Sequence, residues 1–289
     1  MSNKTNESVQ IIKETSALGR LLIKPVSKTI AREMIVANHY SHKWNDGGFG
    51  VFNFGIFHAD EPERCLGVAV YGYMKNPKAK TFTHPNPKAW MCELNRMWID
   101  DELGHNAESI LIAASIKLLH RLDTTCVAVQ SFADGRLGCG TIYKASNFRY
   151  FGFHHTIFLR NRRSGEIIHQ QICTNSTSKS AYLRANVAYL IGDFDVLIVK
   201  TYRYIYPLCK HFRSVFKEQP YPAYDKGYVA GDWKRDRETI RQRCVKMLAE
   251  LDLDAYIKPA PRVGAPNSGQ QAESTPPLAE SPEMLNNAA

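Results

Sequence analysis

The chain has 289 residues, 44% of them apolar and 22% charged, and carries a net charge of +9 at neutral pH; that size and apolar content suit one main domain with a substantial core. Seven cysteines without a Cys-x-x-Cys pair support neither a disulfide framework nor a zinc finger, and point to a reducing compartment. No apolar run reaches signal-peptide or membrane-span length, so secretion and membrane spanning are not expected and the cytoplasm is.

Residues 1–20 read as a polar, flexible lead-in. A first strand follows over 21–26, and Ser27 caps a helix running to about Asn38, with Ile30, Met34 and Ile35 on one face. The helix ends in Asn38-His-Tyr-Ser-His-Lys-Trp44, then Gly47-Gly48. Two histidines, a tyrosine and a tryptophan are more than a plain connector needs, which marks a site, although packing alone would also use them. Strands over 49–58 and 65–74 form a hairpin, a Pro/Lys loop covers 75–89, and 90–99 is a fourth strand. Asn106 then caps a helix with Leu111, Ala114, Leu118, Leu119 and Leu122 on one stripe. Its first N–H groups, near Glu108 and Ser109, would face an anion, with Asp100, Asp101 and Glu102 opposing it.

The rest of the chain turns on 127–150. A buried strand over 127–132 releases Asp134 where its apolar run stops; Gly135, Gly138 and Gly140 turn the chain into a short helix bearing Tyr143. An ionisable group at a strand's carboxyl end, opposite a tyrosine on the next helix, builds active sites in α/β sheets. A capped glycine turn beside a packed ring uses the same residues. Strands over 150–159 and 195–206, a basic turn at 161–165 and an amphipathic helix over 233–251 complete a domain of 21–257, with 258–289 a disordered tail rich in Pro, Ala, Ser and Asn.

Between 148 and 217 eleven Lys or Arg residues face three acids, interleaved with rings as in Tyr202-Arg-Tyr-Ile-Tyr206 and Lys210-His-Phe-Arg213. Cations release counterions from a phosphate backbone while exposed rings stack on bases, so this pattern suits nucleic acid.

The order of elements is strand, helix, three strands, helix, strand, helix, two strands. It resembles the acyltransferase fold of the GNAT superfamily: α/β (α+β), with a central mixed, largely antiparallel sheet flanked by helices. That resemblance implies acetyl-CoA between the splayed fourth and fifth strands, with Tyr143 placed to protonate a leaving group. Its diphosphate loop, Gln/Arg-x-x-Gly-x-Gly/Ala, is replaced here by Asp101-Glu-Leu-Gly-His-Asn-Ala107.

Four strings in order, Ala37-Asn-His-Tyr-Ser41 with Trp44, Leu94-Asn-Arg-Met-Trp98, Asn106-Ala-Glu-Ser109, and Ala133-Asp134 running into Gly140-Thr-Ile-Tyr-Lys-Ala-Ser-Asn-Phe148, resemble the Mom family of bacteriophage DNA-modification proteins over roughly residues 20–207. The resemblance implies conversion of adenine in double-stranded DNA to its N6-carbamoylmethyl form, shielding phage DNA from restriction in the bacterial cytoplasm. It also implies acetyl-CoA as a possible donor, a bound iron, and functional residues at His39, Tyr40, Arg96, Ser109, Asp134 and Tyr143.

The chemistry can be argued from the residues as well. Adenine's amino nitrogen is a poor nucleophile inside a base stack, so the base must be extruded, held between rings and relieved of a proton. Tyr40, Trp44 and Phe148 are candidates for stacking; Asp134 for accepting the amino proton; Arg96 and Ser109 for an anionic group on the donor. His39 and Asp134, with Tyr40 as a third oxygen, would suit iron or another divalent metal; without one, His39 is the expected general base and Asp134 its orienting partner. An ordinary acetyltransferase acting on a protein or small amine, and a non-catalytic nucleic-acid-binding protein, are the alternatives.

Overall fold

The computed structural model describes residues 9–75, 79–169, 193–228 and 230–235, with a few more between 242 and 249. In chain order its elements are β1 (Ile11–Thr15), β2 (Gly19–Pro25), α1 (Lys28–Asn38), β3 (Phe52–His58), β4 (Gly67–Tyr73), β5 (Phe82–Thr83), β6 (Trp90–Ile99), α2 (Ala107–Leu122), β7 (Cys126–Asp134), α3 (Thr141–Ala145), β8 (Arg149–Asn161), β9 (Ile167–His169), β10 (Phe194–Pro207), β11 (Arg213–Ser214) and β12 (Lys234–Arg235).

The capping expected of Ser27 is present: its hydroxyl accepts the Ile30 N–H at 3.2 Å, satisfying an amide that the first turn leaves without a partner. The buried face of α1 differs from the expected one. Ala31 and Ile35 pack on Val68 and Val70 of β4, whereas Ile30 is 42% exposed. The small Ala31 side chain faces the sheet at the point of contact. Helix α2 covers the other face, where Leu111, Leu118 and Leu119 join Ala69, Tyr71 and Leu94 in the main core. Alternation along β4 assigns its side chains to the two helices in turn.

The strands lie in the order β1-β2-β3-β4-β6-β7-β10-β8-β9, with β12 also on β10. Among the described residues β6 and β7 are the parallel pair, joined through α2; the other pairs are antiparallel. Parallel pairing ties Trp90–Glu93 to Cys126–Gln130 and then stops. Beyond that point β6 pairs with β4, and Ser131–Asp134 of β7 pair with β10. The two strands therefore part and leave a cleft. A bulge at Asn95, where Val70 faces Arg96 but Tyr71 faces Leu94, turns β6 away there. This is the expected α/β arrangement, a mixed and largely antiparallel sheet flanked by helices.

Three expectations change. The lead-in is not wholly loose, since Ile11–Thr15 pairs with Gly19–Ile23 through a turn. The helix expected from Trp233 does not begin there: Lys234–Arg235 forms β12 against β10. The rings of Tyr202 and Tyr204 are 3% and 1% exposed, because alternation in β10 turns them into the core and Arg203 to the opposite face. The tail 258–289 lies outside the described residues. No helix among those described is long and apolar enough to cross a membrane.

Candidate active site

Helix α1 delivers His39 and Tyr40 to the cleft. The His39 ring is 8% exposed, with Nδ1 3.1 Å from the Ser41 amide nitrogen and 2.8 Å from Ser41 Oγ. An amide N–H can only donate, so Nδ1 is the unprotonated nitrogen and Nε2 carries the proton of the neutral ring. Burial, followed by the charges of Arg96 and His42, lowers the His39 pKa to about 4. The side chain is thus a neutral donor at physiological pH. Tyr40 lies over His39 with ring centres 4.2 Å apart and remains 56% exposed. Local desolvation, then the Asp134 carboxylate, raises its phenol pKa even so.

Strand β6 contributes Glu93 and Arg96 on either side of the Asn95 bulge. Glu93 sits at the last paired position before the strands part and accepts hydrogen bonds from Gln130 Nε2 and Asn95 Nδ2, both at 3.3 Å. Burial raises its pKa. Arg96 donates from Nη1 to the Asn95 carbonyl at 2.6 Å, lies 4.8 Å from the Phe49 ring centre, and has a buried Nε without a partner. Burial lowers the pKa of Arg96, and Tyr40, Glu93 and Tyr143 lie within its electrostatic reach.

Ser131 links the cleft to α3: its Oγ is 3.3 Å from the Leu94 carbonyl and 2.9 Å from Tyr143 Oη. The approach of α3 requires Gly140, whose φ is +84° and where a Cβ would stand 2.6 Å from Ala133 Cβ. Tyr143 packs between Phe148 and Tyr204, at 5.5 and 5.1 Å, and burial pushes its phenol up to about 12. It keeps its proton at neutral pH.

Asp134 is engaged by its neighbour. Arg136 Nη2 reaches Oδ2 at 2.6 Å, Nε lies 3.1 and 3.0 Å from the two oxygens, and the Arg136 amide donates to Oδ1 at 2.9 Å. The orienting contact expected between Asp134 and His39 is not made: Nδ1 of His39 faces Ser41, and both carboxylate oxygens of Asp134 are bonded by Arg136. Among the described residues no group of three or more His, Cys, Asp or Glu converges as metal ligands. The expected metal pair of His39 and Asp134 does not fit an ion as arranged, because the carboxylate is held by a guanidinium and Nδ1 by an amide.

The structure brings His39, Tyr40, Arg96, Asp134 and Tyr143 into one electrostatic neighbourhood. Ser109 is not joined to it by any described contact; its hydroxyl donates to the Asn106 carbonyl at 2.9 Å. With Asp101 and Glu102 just before α2 and Glu108 in its first turn, this helix start does not fit the diphosphate of coenzyme A. Phe148 is 0% exposed and packs on Tyr143 and Tyr206, so it offers no face to a base. Trp44 is half-buried beside Val68 and Val70, edge-on to Phe49, on which Arg96 rests.

The sequence does not single out Glu93, Gln130 or Arg136, whose contacts lie at the cleft. A carboxylate within the apolar run 90–99, three residues before Arg96, was the available signal for Glu93. Arg136 follows Asp134 across one glycine, a spacing that lets a side chain fold back on the strand end.

Residues 20–223 match the Mom protein family. The methylcarbamoylase mom of Escherichia phage Mu is 33% identical over 214 residues, covering 70% of this chain and 83% of that protein. Among solved structures, Arabidopsis thaliana NAA60 in complex with acetyl-CoA aligns with a TM-score of 0.40 at 8% identity, covering 65% of this chain and 99% of that one. The ribosomal-protein-S5-alanine acetyltransferase from Vibrio fischeri aligns at 0.37 and 10% identity, covering 70% and 98%. With a match that runs from β2 past β11 and a relative aligned over most of its own length, the chain belongs to the Mom protein family.

Proposed function

We propose that this protein transfers a carbamoylmethyl group to the N6 amino group of adenine in double-stranded DNA. The observation that supports this best is the Glu93 carboxylate, desolvated at the fork of β6 and β7 and lying within reach of the Arg96 charge. An extruded adenine needs a base for the amino proton, and a carboxylate with a raised pKa is tuned for that task. In this reading the donor is a –CH2–C(O)NH2 carbon that carries a leaving group: the N6–CH2 bond forms as the bond from CH2 to the leaving group breaks, the electron pair departs with that group, and Glu93 receives the N6 proton. The exposed Tyr40 ring stacks on the base and the His39 Nε2–H donates to it. Tyr143 donates its phenolic proton toward the leaving group, and Arg96 holds a negative charge on the donor. Asp134 acts through Arg136 as a positioning residue. Acetyl-CoA is the donor implied by the family resemblance; the acids at the start of α2 oppose its diphosphate, so no step is assigned to it.

The test is to express the full chain in a bacterial host, digest the host DNA to nucleosides and measure deoxyadenosine by mass spectrometry, with Glu93→Gln and Asp134→Ala alongside. A carbamoylmethyl adduct on deoxyadenosine, lost in Glu93→Gln, is expected. Unmodified DNA from folded wild-type protein would overturn the reading in favour of an acetyltransferase acting on a protein or small amine.

A further inference from the structure

The face of the sheet that carries Asp134 bears one cation on β10, Arg203, and further cations follow in the segment after the strand, Lys210 and Arg213. Arg203 of β10 is in register with Phe132 of β7, which precedes Asp134 by two residues and so shares its face about 7 Å away. The Arg203 guanidinium lies 5.5 Å from the Phe132 ring centre and 3.6 Å from that of Phe216. Its buried Nε has no partner, and among the described residues no carboxylate pairs with it. Phe216 in turn lines a cavity of about 340 Å³, as does Phe212. Arg149, Lys210 and Arg213 line that cavity against one acid, Glu218, which stands 3.4 Å from Arg149. Arg213 is pre-oriented by the carbonyls of Lys210 and Phe212, which accept from its Nη1 at 2.6 and 2.9 Å.

A half-buried arginine close to two rings, next to a cationic groove lined by phenylalanines, is matched in charge and shape by a sugar–phosphate chain. We propose that Arg203, Lys210, Arg213 and Arg149, arranged around Phe216, hold the backbone of the DNA strand beside the extruded adenine. The proposal rests on DNA being the substrate. It assigns the docking surface to the 203–216 segment, outside the cleft where the chemistry is proposed.

The test uses the full chain and a fluorescein-labelled duplex, with binding followed by anisotropy across a salt series. Lys210→Gln/Arg213→Gln changes two exposed side chains, and Arg121→Gln on the exposed side of α2 is the control. The double variant should bind roughly tenfold more weakly and lose about 1.8 from the log–log salt slope, since each phosphate contact contributes about 0.9; the control should be unchanged. The same proteins are scored for modified deoxyadenosine. Unchanged affinity and slope in the double variant, with wild-type protein still modifying DNA, would overturn the groove and leave the function standing. Absence of both DNA binding and modification in wild-type protein would sink both. Equal, salt-sensitive binding of poly-glutamate, lost in the double variant, would make this an acidic-polypeptide site and overturn the assignment to DNA.

Discussion

Arg136 encloses the carboxylate of Asp134, bonding it through Nε, Nη2 and its own amide, and both side chains are about four-fifths covered, at 22% and 19% exposure. Removing one partner strands the other in a poorly solvated place. Asp134→Asn and Arg136→Gln should each cost about 2 kcal/mol of stability. The double variant should cost at least about 1 kcal/mol less than their sum. Urea unfolding of all four proteins gives the coupling directly, and simple additivity would show that the pair contributes nothing.

Glu93→Gln keeps the shape and removes the base; its one amide oxygen accepts from Asn95 or Gln130, and the second contact is kept when Gln130 turns its own amide oxygen toward the new NH2. Modification should fall about 10²- to 10⁴-fold with no loss of melting temperature. Because burial raises the Glu93 pKa and the ionised form is the active one, wild-type activity should rise with pH through a midpoint above the ordinary glutamate range. A variant with near-wild-type turnover would remove Glu93 from the chemistry.

His39 yields a prediction for stability against pH. Its folded pKa, about 4, lies below the ordinary 6.5, so the unfolded chain binds more protons between those values. The contribution of the neutral ring is present above pH 6.5 and is lost as pH falls toward 4. His39→Gln should therefore flatten the stability profile in that window, as read by thermal melts at a series of pH values. An identical slope in the variant would show that the ring's desolvation is relieved elsewhere.

Phe148 and Tyr40 separate packing from recognition. Phe148→Ala empties a fully buried site and should cost about 3–5 kcal/mol. Tyr40→Ala removes a largely exposed ring and should change stability by no more than about 1 kcal/mol while lowering affinity for DNA containing an extruded base. Denaturant midpoints and binding curves measured on the same two proteins decide it. A stable Phe148→Ala protein with impaired binding would return Phe148 to the site.

Periodicity and capping signals made most of the fold legible. Strand 90–99 and the Ser27-capped α1 follow from patterns a few residues long, and those patterns survive in the structure because local and tertiary preferences agree there. What stayed hidden depends on contacts distant in sequence. The two-residue strand β12 is defined only by its partner β10, and β1 only by β2. At the site, the sequence placed His39, Arg96, Asp134 and Tyr143 as chemically interesting but not what each would touch. That Ser41 takes Nδ1 of His39, and Arg136 the carboxylate of Asp134, is decided by side-chain geometry at separations of only two residues. Those contacts engage the two groups that the sequence alone offers as base.

The placement of β10 between β7 and β8 bears on how the protein comes into being. Thr201–Pro207 supplies the hydrogen-bonding edge for Ala128–Asp134, so the strand bearing Asp134 emerges from the ribosome with one side open and stays so for some seventy residues of synthesis. When β10 arrives it must enter between two strands already made, completing the Tyr143 and Tyr204 packing at the same moment. A nascent chain, or one truncated before residue 207, therefore lacks the wall of its own cleft, and an unpaired strand edge makes such a fragment a target for chaperones and proteases.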